Sequence, residues 1–155
     1  LDKSLQADRN WKRRLHWATR LGLNPLTSFI AGASDSIALA ERLNISKHQQ
    51  NLITESLELQ NFLSLFEPSK EYLKWTPSQW ILQLERENHF HPESVALTIS
   101  MGLPAWKPLL RWWGRWRKIK SPISAKGLIK QGWLPGPEIG AELHRLRLKE
   151  VDSGR

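Results

Sequence analysis

An all-α fold of about eight short-to-medium helices with short connections, ending in a helical hairpin, is the class that the 155-residue sequence predicts. Three observations carry it. Apolar residues recur every third or fourth position along most of the chain. No run alternates apolar and polar residues with β-branched enrichment, so strands are not expected. Start and stop signals come in order, with Ser or Thr before an apolar run and Gly or Pro after it.

The first helix is expected over Arg9 to Leu21. Trp11, Leu15 and Ala18 share one face and Arg9, Arg13, His16 and Arg20 another, and Gly22 and Pro25 end it. Ser34 is the expected N-cap of a helix through Ile37, Leu39 and Ala40 that stops at Asn44. Ser46 and Gln49 form a capping-box pattern for a longer helix carrying Leu52, Ile53, Leu57, Leu59, Phe62 and Leu65, with Pro68 as its stop. Thr76, Pro77 and Gln79 combine a cap, a proline at the first helical position and a second capping box, for a helix to about Asn88. Pro92 opens the next, through Val95, Leu97 and Ile99 to Gly102.

A helix from Ala105 to Lys120 follows, broken by Ser121-Pro122. Its expected packing side is Leu109, Trp113 and Trp116, with Leu110 nearby. Ser124 caps a short helix to Gln131, and the run Gly132 to Pro137 is a turn. The last helix starts at Pro137 and reaches about Val151, with Ile139, Leu143 and Leu146 inward and Gly140 allowing close approach to its neighbour. Its free backbone N–H groups could hold a phosphate oxygen, although Glu138 disfavours an anion there.

Charge separates the two halves. Lys plus Arg is 23 and Asp plus Glu is 15, a net of +8. No acid occurs between Glu93 and Glu138, a stretch that holds eight bases: Lys107, Arg111, Arg115, Arg117, Lys118, Lys120, Lys126 and Lys130. The remainder has equal numbers of acids and bases, so the whole excess lies in that stretch. This places the softest boundary near His89–Pro92, with a helical subdomain over 1–90 and a basic one over 91–155. A localised basic excess is the electrostatic footprint expected for a polyanion, most often nucleic acid.

In the Ala105–Lys120 helix, Lys107, Arg111, Arg115 and Lys118 fall within an arc of about 80° at the α-helical rotation. A basic stripe opposite an apolar one suits a helix docked on a core and facing phosphates. A helix lying on a membrane surface has the same signature, but the flanking helices offer apolar faces for packing. The nine tryptophans are read mainly as core, with a minority as stacking platforms for bases.

Catalytic motifs are scarce. There is no phosphate-binding glycine loop, no D-x-D pair for two metals and no nucleophile elbow. The absence of cysteine excludes disulfides, thiolate metal sites and a thiol nucleophile. His89 and His91, beside Glu87 and Glu93, are read as exposed turn residues and not as metal ligands, and His16, His48 and His144 as isolated. The longest uncharged apolar stretch, Ser94 to Trp106, is too short to span a bilayer and contains Pro104. With no signal-peptide pattern, the expectation is a cytoplasmic protein without a membrane partner.

The run Ile123 to Leu146, I-S-A-K-G-L-I-K-Q-G-W-L-P-G-P-E-I-G-A-E-L-H-R-L, resembles the tail of class II tRNA nucleotidyltransferases, the CCA-adding enzymes and their poly(A) polymerase relatives. That tail reads I-S-G-x-D-L, then G-x-x-P-G-P-x-I-G, then a leucine-spaced helix. Upstream, Ala40 to Ser46 is similar to the L-x-L-S segment that opens a long helix in the family's body. Lys126-Gly127 departs from the glycine and acid usual at that point. The G-S and D-x-D residues of the family's catalytic head are missing, as is the arginine–aspartate motif that selects the nucleotide.

The resemblance implies a body and tail that position the tRNA acceptor–T arm for a catalytic head not in this chain. It implies no cofactor here, since the divalent metal and the ATP or CTP belong to that head, and a chain inactive alone. The residues expected to contact RNA phosphates are Lys107, Arg111, Arg115, Lys118, Lys126 and Lys130. The competing expectation is a helical protein–protein module whose basic stripe meets an acidic partner.

Overall fold

The computed structural model describes residues 10–154 and is all-helical among them. The elements are α1 (Trp11–Arg20), α2 (Pro25–Ala31), α3 (Ser36–Arg42), α4 (Lys47–Ser64), a 3-10 turn (Glu71–Lys74), α5 (Pro77–Ile81), a π-helical segment (Leu82–Glu87), α6 (Pro92–Ser100), α7 (Trp106–Gly114), a second 3-10 turn (Trp116–Lys118), α8 (Ala125–Lys130) and α9 (Pro137–Ser153). Arg9, read as part of the first helix, lies outside the described residues.

Local capping explains most boundaries. Thr76 forms the full capping box with Gln79, and Pro77 occupies the first helical position. Ser46 accepts from the Gln49 N–H at 3.3 Å and Ser124 from the Gly127 N–H at 3.1 Å. The cap of α3 is Asp35, not Ser34; its carboxylate accepts from the Ala38 N–H at 3.2 Å. An acid one residue nearer the helix both caps and complements the helix dipole. The sequence reading missed α2. Asn24 accepts from the Leu26 N–H at 2.9 Å and Pro25 stands at the first helical position, so the proline read as a stop is also a start.

At the centre is α6, buried on all sides from Ser94 to Ser100. Two of the three buried hydroxyls of this helix bond across to its neighbours, while that of Ser94 has no partner among the described residues. The Thr98 hydroxyl shares a hydrogen bond with Ser56 of α4 at 2.8 Å, and that of Ser100 with Ser28 of α2 at 3.1 Å. Two apolar clusters meet on this helix. One joins Leu59, Leu63, Tyr72, Trp80, Ile81, Leu84, Val95, Ile99, Leu109, Trp112 and Val151. The other joins Ile30, Leu39, Leu52, Ile53 and Leu97. Both draw on residues from either side of position 90.

The first helix buries only part of the face that periodicity selects, Ala18 fully and Leu15 partly. Trp11 is 42% exposed, while Arg14 and Ala18 are the buried positions of α1. Arg14 reaches under α2, where Gly32 leaves the room: a Cβ there would lie 2.1 Å from the Arg14 Cζ. Gly140 is different, since a Cβ there would meet nothing within 4 Å. The close approach in the C-terminal hairpin is at Gly127, whose Cβ would fall 2.8 Å from Ile123 Cγ2. In the hairpin Leu128, Ile139 and Val151 are the buried residues, whereas Leu143 and Leu146 are half-buried.

An aromatic cluster fills the space beside α5. Trp75 and Trp80 meet edge to face at 4.9 Å, and Tyr72 stands 6.3 Å from Trp80. The Tyr72 hydroxyl donates to Glu67 Oε1 at 2.8 Å. Burial, that hydrogen bond and the Glu67 charge together push the phenol from its usual 10.0 up to about 12. The fold therefore favours the neutral form. This contribution is intact below pH 10.0 and is lost as the pH rises to about 12, because the unfolded chain releases the proton first. Tyr72 is the only tyrosine, so tyrosinate absorbance reports it alone. The native midpoint should lie well above that of the denatured chain, and Tyr72→Phe should flatten the alkaline loss of stability in this window. Coincident native and denatured midpoints would show that the phenol is not held by the fold.

Candidate nucleic-acid interface

The acid-free stretch does not form one helix. α7 runs from Trp106 only to Gly114, and the chain leaves helical geometry at Arg115, with φ −129° and ψ −64°. The Arg115 N–H makes the last helical bond, to the Arg111 carbonyl at 2.9 Å. A short 3-10 turn follows, and Ile119 is already extended. Glycine weakens a helix at its end, and Gly114 coincides with the break.

This rearranges the predicted stripe. Lys107 and Arg111 are exposed and one turn apart on α7. Arg115, also exposed, is the C-cap residue and lies against the end of α9, its Nη2 3.7 Å from where a Cβ at Gly154 would sit. Lys118 is exposed on the 3-10 turn, and Lys126 and Lys130 are exposed one turn apart on α8. The four-residue arc over 107–118 is therefore a pair on one helix followed by two cations on differently directed backbone.

The buried side of α7 also differs. Leu109, Trp112 and Trp116 are buried, and Trp113 is half-buried. Both tryptophan sets obey helical spacing, so periodicity alone does not choose between them. The choice is made by Glu85, whose Oε1 accepts from the Trp112 indole N–H at 2.9 Å. Trp113 instead carries the Arg117 guanidinium 5.5 Å from its ring centre, and its carbonyl accepts from the Arg117 Nε. Of the nine tryptophans only Trp11 is exposed.

Lys107 and Arg111 border a groove of about 260 Å³ beside Tyr72, Trp75, Trp80 and Trp116. Lys107 Nζ also stands 5.7 Å from the Trp106 ring. Among the described residues Glu142 bonds Arg145 at 2.6 Å, and Glu85 bonds Arg147 at 2.7 Å. Lys107, Arg111, Lys118, Lys126 and Lys130 make no ion pair among the described residues and present their charge to solvent.

A hub organises the C-terminal side. The π-helical segment is held by the Phe90 N–H donating to the Leu84 carbonyl at 2.9 Å and by the Asn88 amide on the Gln83 carbonyl at 2.7 Å. Its wider turns are the reason the helix expected to Asn88 is not α-helical to its end. From it Glu85 receives Arg147 in a two-point contact, Nη1 to Oε2 at 2.7 Å and Nη2 to Oε1 at 3.0 Å. The same guanidinium donates from Nε to the Ile119 carbonyl at 2.8 Å. Arg147 thus pins α9, the π segment and the chain after α7 together. Beside it a second groove contains Arg117, Lys120 and His144. Charge patterning did not select these residues. Arg117 and Lys120 fall off the helical arc, and His144 and Arg147 reach the groove only through the fold.

His48 is not isolated: its Nε2 lies 3.4 Å from Glu93 Oε2, and its ring meets that of His91 edge-on at 6.4 Å. His91 caps α6, with Nδ1 accepting from the Glu93 N–H at 3.2 Å. Its own N–H donates to Glu55. Phe90 between the two histidines is buried. Among the described residues no group of three or more His, Asp or Glu side chains is placed to hold a metal ion. No described helix is long and apolar enough to cross a membrane.

Comparison with protein-family models, with curated proteins and with solved structures returns no match.

Proposed function

We propose that the chain binds tRNA, or tRNA-like RNA, through its sugar–phosphate backbone, as the body and tail of a class II tRNA nucleotidyltransferase whose catalytic head performs the chemistry. The observation that carries this reading is the run from 94 to 137, in which no acid occurs and in which six exposed cations make no ion pair among the described residues. Free, solvated cations on a rigid scaffold are what a polyphosphate backbone needs, because binding then releases counterions without first breaking protein ion pairs. Recognition of an A-form arm by shape and backbone needs no base-reading side chains. The tail-like run supplies the link to tRNA; its Ile123 and Gly127 are in close contact in the hairpin.

The test follows from the rearranged stripe. Lys107→Gln, Arg111→Gln and Lys118→Gln together remove three exposed charges that make no ion pair among the described residues. The melting temperature should stay nearly constant, since surface substitutions usually change stability by about 0.5 kcal/mol or less. The slope of log affinity against log salt should flatten by up to about three units, with a loss of roughly tenfold or more at moderate salt. Lys47→Gln with Glu58→Gln on α4 is the control and should bind like the parent. Unchanged tRNA affinity in the triple variant at equal salt would remove this reading. Equal affinity for acidic proteins and tRNA would move the basic surface to a protein-partner role.

A further inference from the structure

A groove of about 580 Å³ lies between the 119–124 connection and the middle of α9, within the range of small-ligand sites. Its walls divide by chemistry. Ile119, Pro122, Ile123 and Leu143 offer apolar surface, and Arg117, Lys120 and Arg147 bring positive charge, with no acid among the lining residues.

The three cations are not equivalent. Arg147 is committed to Glu85 and the Ile119 carbonyl. Arg117 is fixed through Nε and by stacking on Trp113, an arrangement that orients the rest of its fork. Lys120 is exposed and makes no ion pair among the described residues. The groove therefore carries uncompensated charge from one oriented guanidinium and one exposed ammonium, a pairing suited to a phosphate.

His144 adds a neutral polar group. Its Nε2 is buried without a hydrogen-bond partner among the described residues, a position that normally demands one. Burial first, then the nearby Arg86 and Arg147 charges, holds its pKa below the usual 6.5. The His144 ring forms part of the groove wall and so reports on its occupancy.

We propose that this groove binds a nucleoside monophosphate unit, with the phosphate between Arg117 and Lys120 and the base against Pro122, Ile123 and Leu143, beside the His144 ring. Neither an apolar ligand nor a bare phosphate uses both walls. The proposal concerns a site separate from Lys107 and Arg111 and does not rest on tRNA binding.

Isothermal titration of the protein with adenosine monophosphate, adenosine and ribose 5-phosphate tests it, with the His144 imidazole resonance followed by NMR. The monophosphate should bind saturably and shift that resonance. Adenosine and ribose 5-phosphate should each bind at least about tenfold more weakly, having lost one of the two walls. Lys120→Glu should weaken the monophosphate about tenfold at an unchanged melting temperature. Lys47→Glu, on α4 and outside the groove, should leave it unaltered.

Three results would overturn the proposal: no binding of the monophosphate at millimolar concentration, equal binding of ribose 5-phosphate, or equal losses from the Lys120 and Lys47 changes. Displacement of the monophosphate by a short single-stranded oligoadenylate would identify the occupant as an unpaired nucleotide of a strand; no displacement would identify it as a free nucleotide. tRNA binding without monophosphate binding defeats this inference alone, whereas monophosphate binding without tRNA binding upholds it and defeats the tRNA reading.

Discussion

Arg147→Ala should unfold the protein at markedly lower denaturant concentration, with a loss of about 2–4 kcal/mol. The side chains of Arg147 and Glu85 are only 18% and 26% exposed, and their contact is two-pointed. Truncation leaves Glu85 largely desolvated with only the Trp112 indole as donor, and leaves the Ile119 carbonyl without its guanidinium partner. The partial exposure keeps the expected loss below that of a fully buried pair. For a chain of this size, each kcal/mol corresponds to roughly 2–4 °C in Tm. Arg147→Lys should recover little, because a single ammonium cannot serve both carboxylate oxygens and a carbonyl at once. Glu85→Gln should cost less, about 1–2 kcal/mol, since an amide oxygen still accepts from Trp112. A loss under about 0.5 kcal/mol for Arg147→Ala would place the pair with ordinary surface ion pairs.

Trp80→Ala should cost about 3–5 kcal/mol, up to the whole stability of a marginal domain. Trp80 is 1% exposed and belongs to the larger apolar cluster, with Trp75 at 4.9 Å. Its removal opens a cavity walled by Tyr72 of the preceding 3-10 turn and by Trp75 just after it, large rings that limit collapse around it. Because the same ring borders the Lys107–Arg111 groove, a destabilised but folded variant should also weaken any ligand held there. Trp80→Phe, which keeps most of the apolar volume, should lose distinctly less. Chemical denaturation of the three proteins at one pH gives the comparison. Equal stability of the alanine and phenylalanine variants would mean that the indole volume is not part of the core.

The helix starts show how much is legible from the chain alone. Ser46, Thr76 and Ser124 each satisfy an N–H three residues away. Such bonds depend only on local geometry, so residue type and spacing predict them. The shift from Ser34 to Asp35, and the helix opened by Asn24-Pro25, come from the same local chemistry read one step off. The all-helical class was likewise predictable, because apolar spacing and the lack of alternation act over a few residues.

The surfaces were less legible, and α7 shows why. Leu109 with Trp112 or with Trp113 satisfies helical spacing equally well, and the buried member is decided by Glu85, 27 residues away. The break at Arg115 then carries Lys118 off the line of Lys107 and Arg111.

What the amino-acid sequence determined by itself is the helical class, most helix starts and the concentration of uncompensated positive charge between Glu93 and Glu138. These are properties of neighbours along the chain. The tertiary structure alone decided that Arg147 meets Glu85 across 62 positions, that the chain turns away after Gly114, and that Arg117, Lys120 and His144 share one groove. Those outcomes depend on which apolar faces pack best and which buried polar groups find partners. Both are settled by contacts between distant residues, to which spacing along the chain is blind.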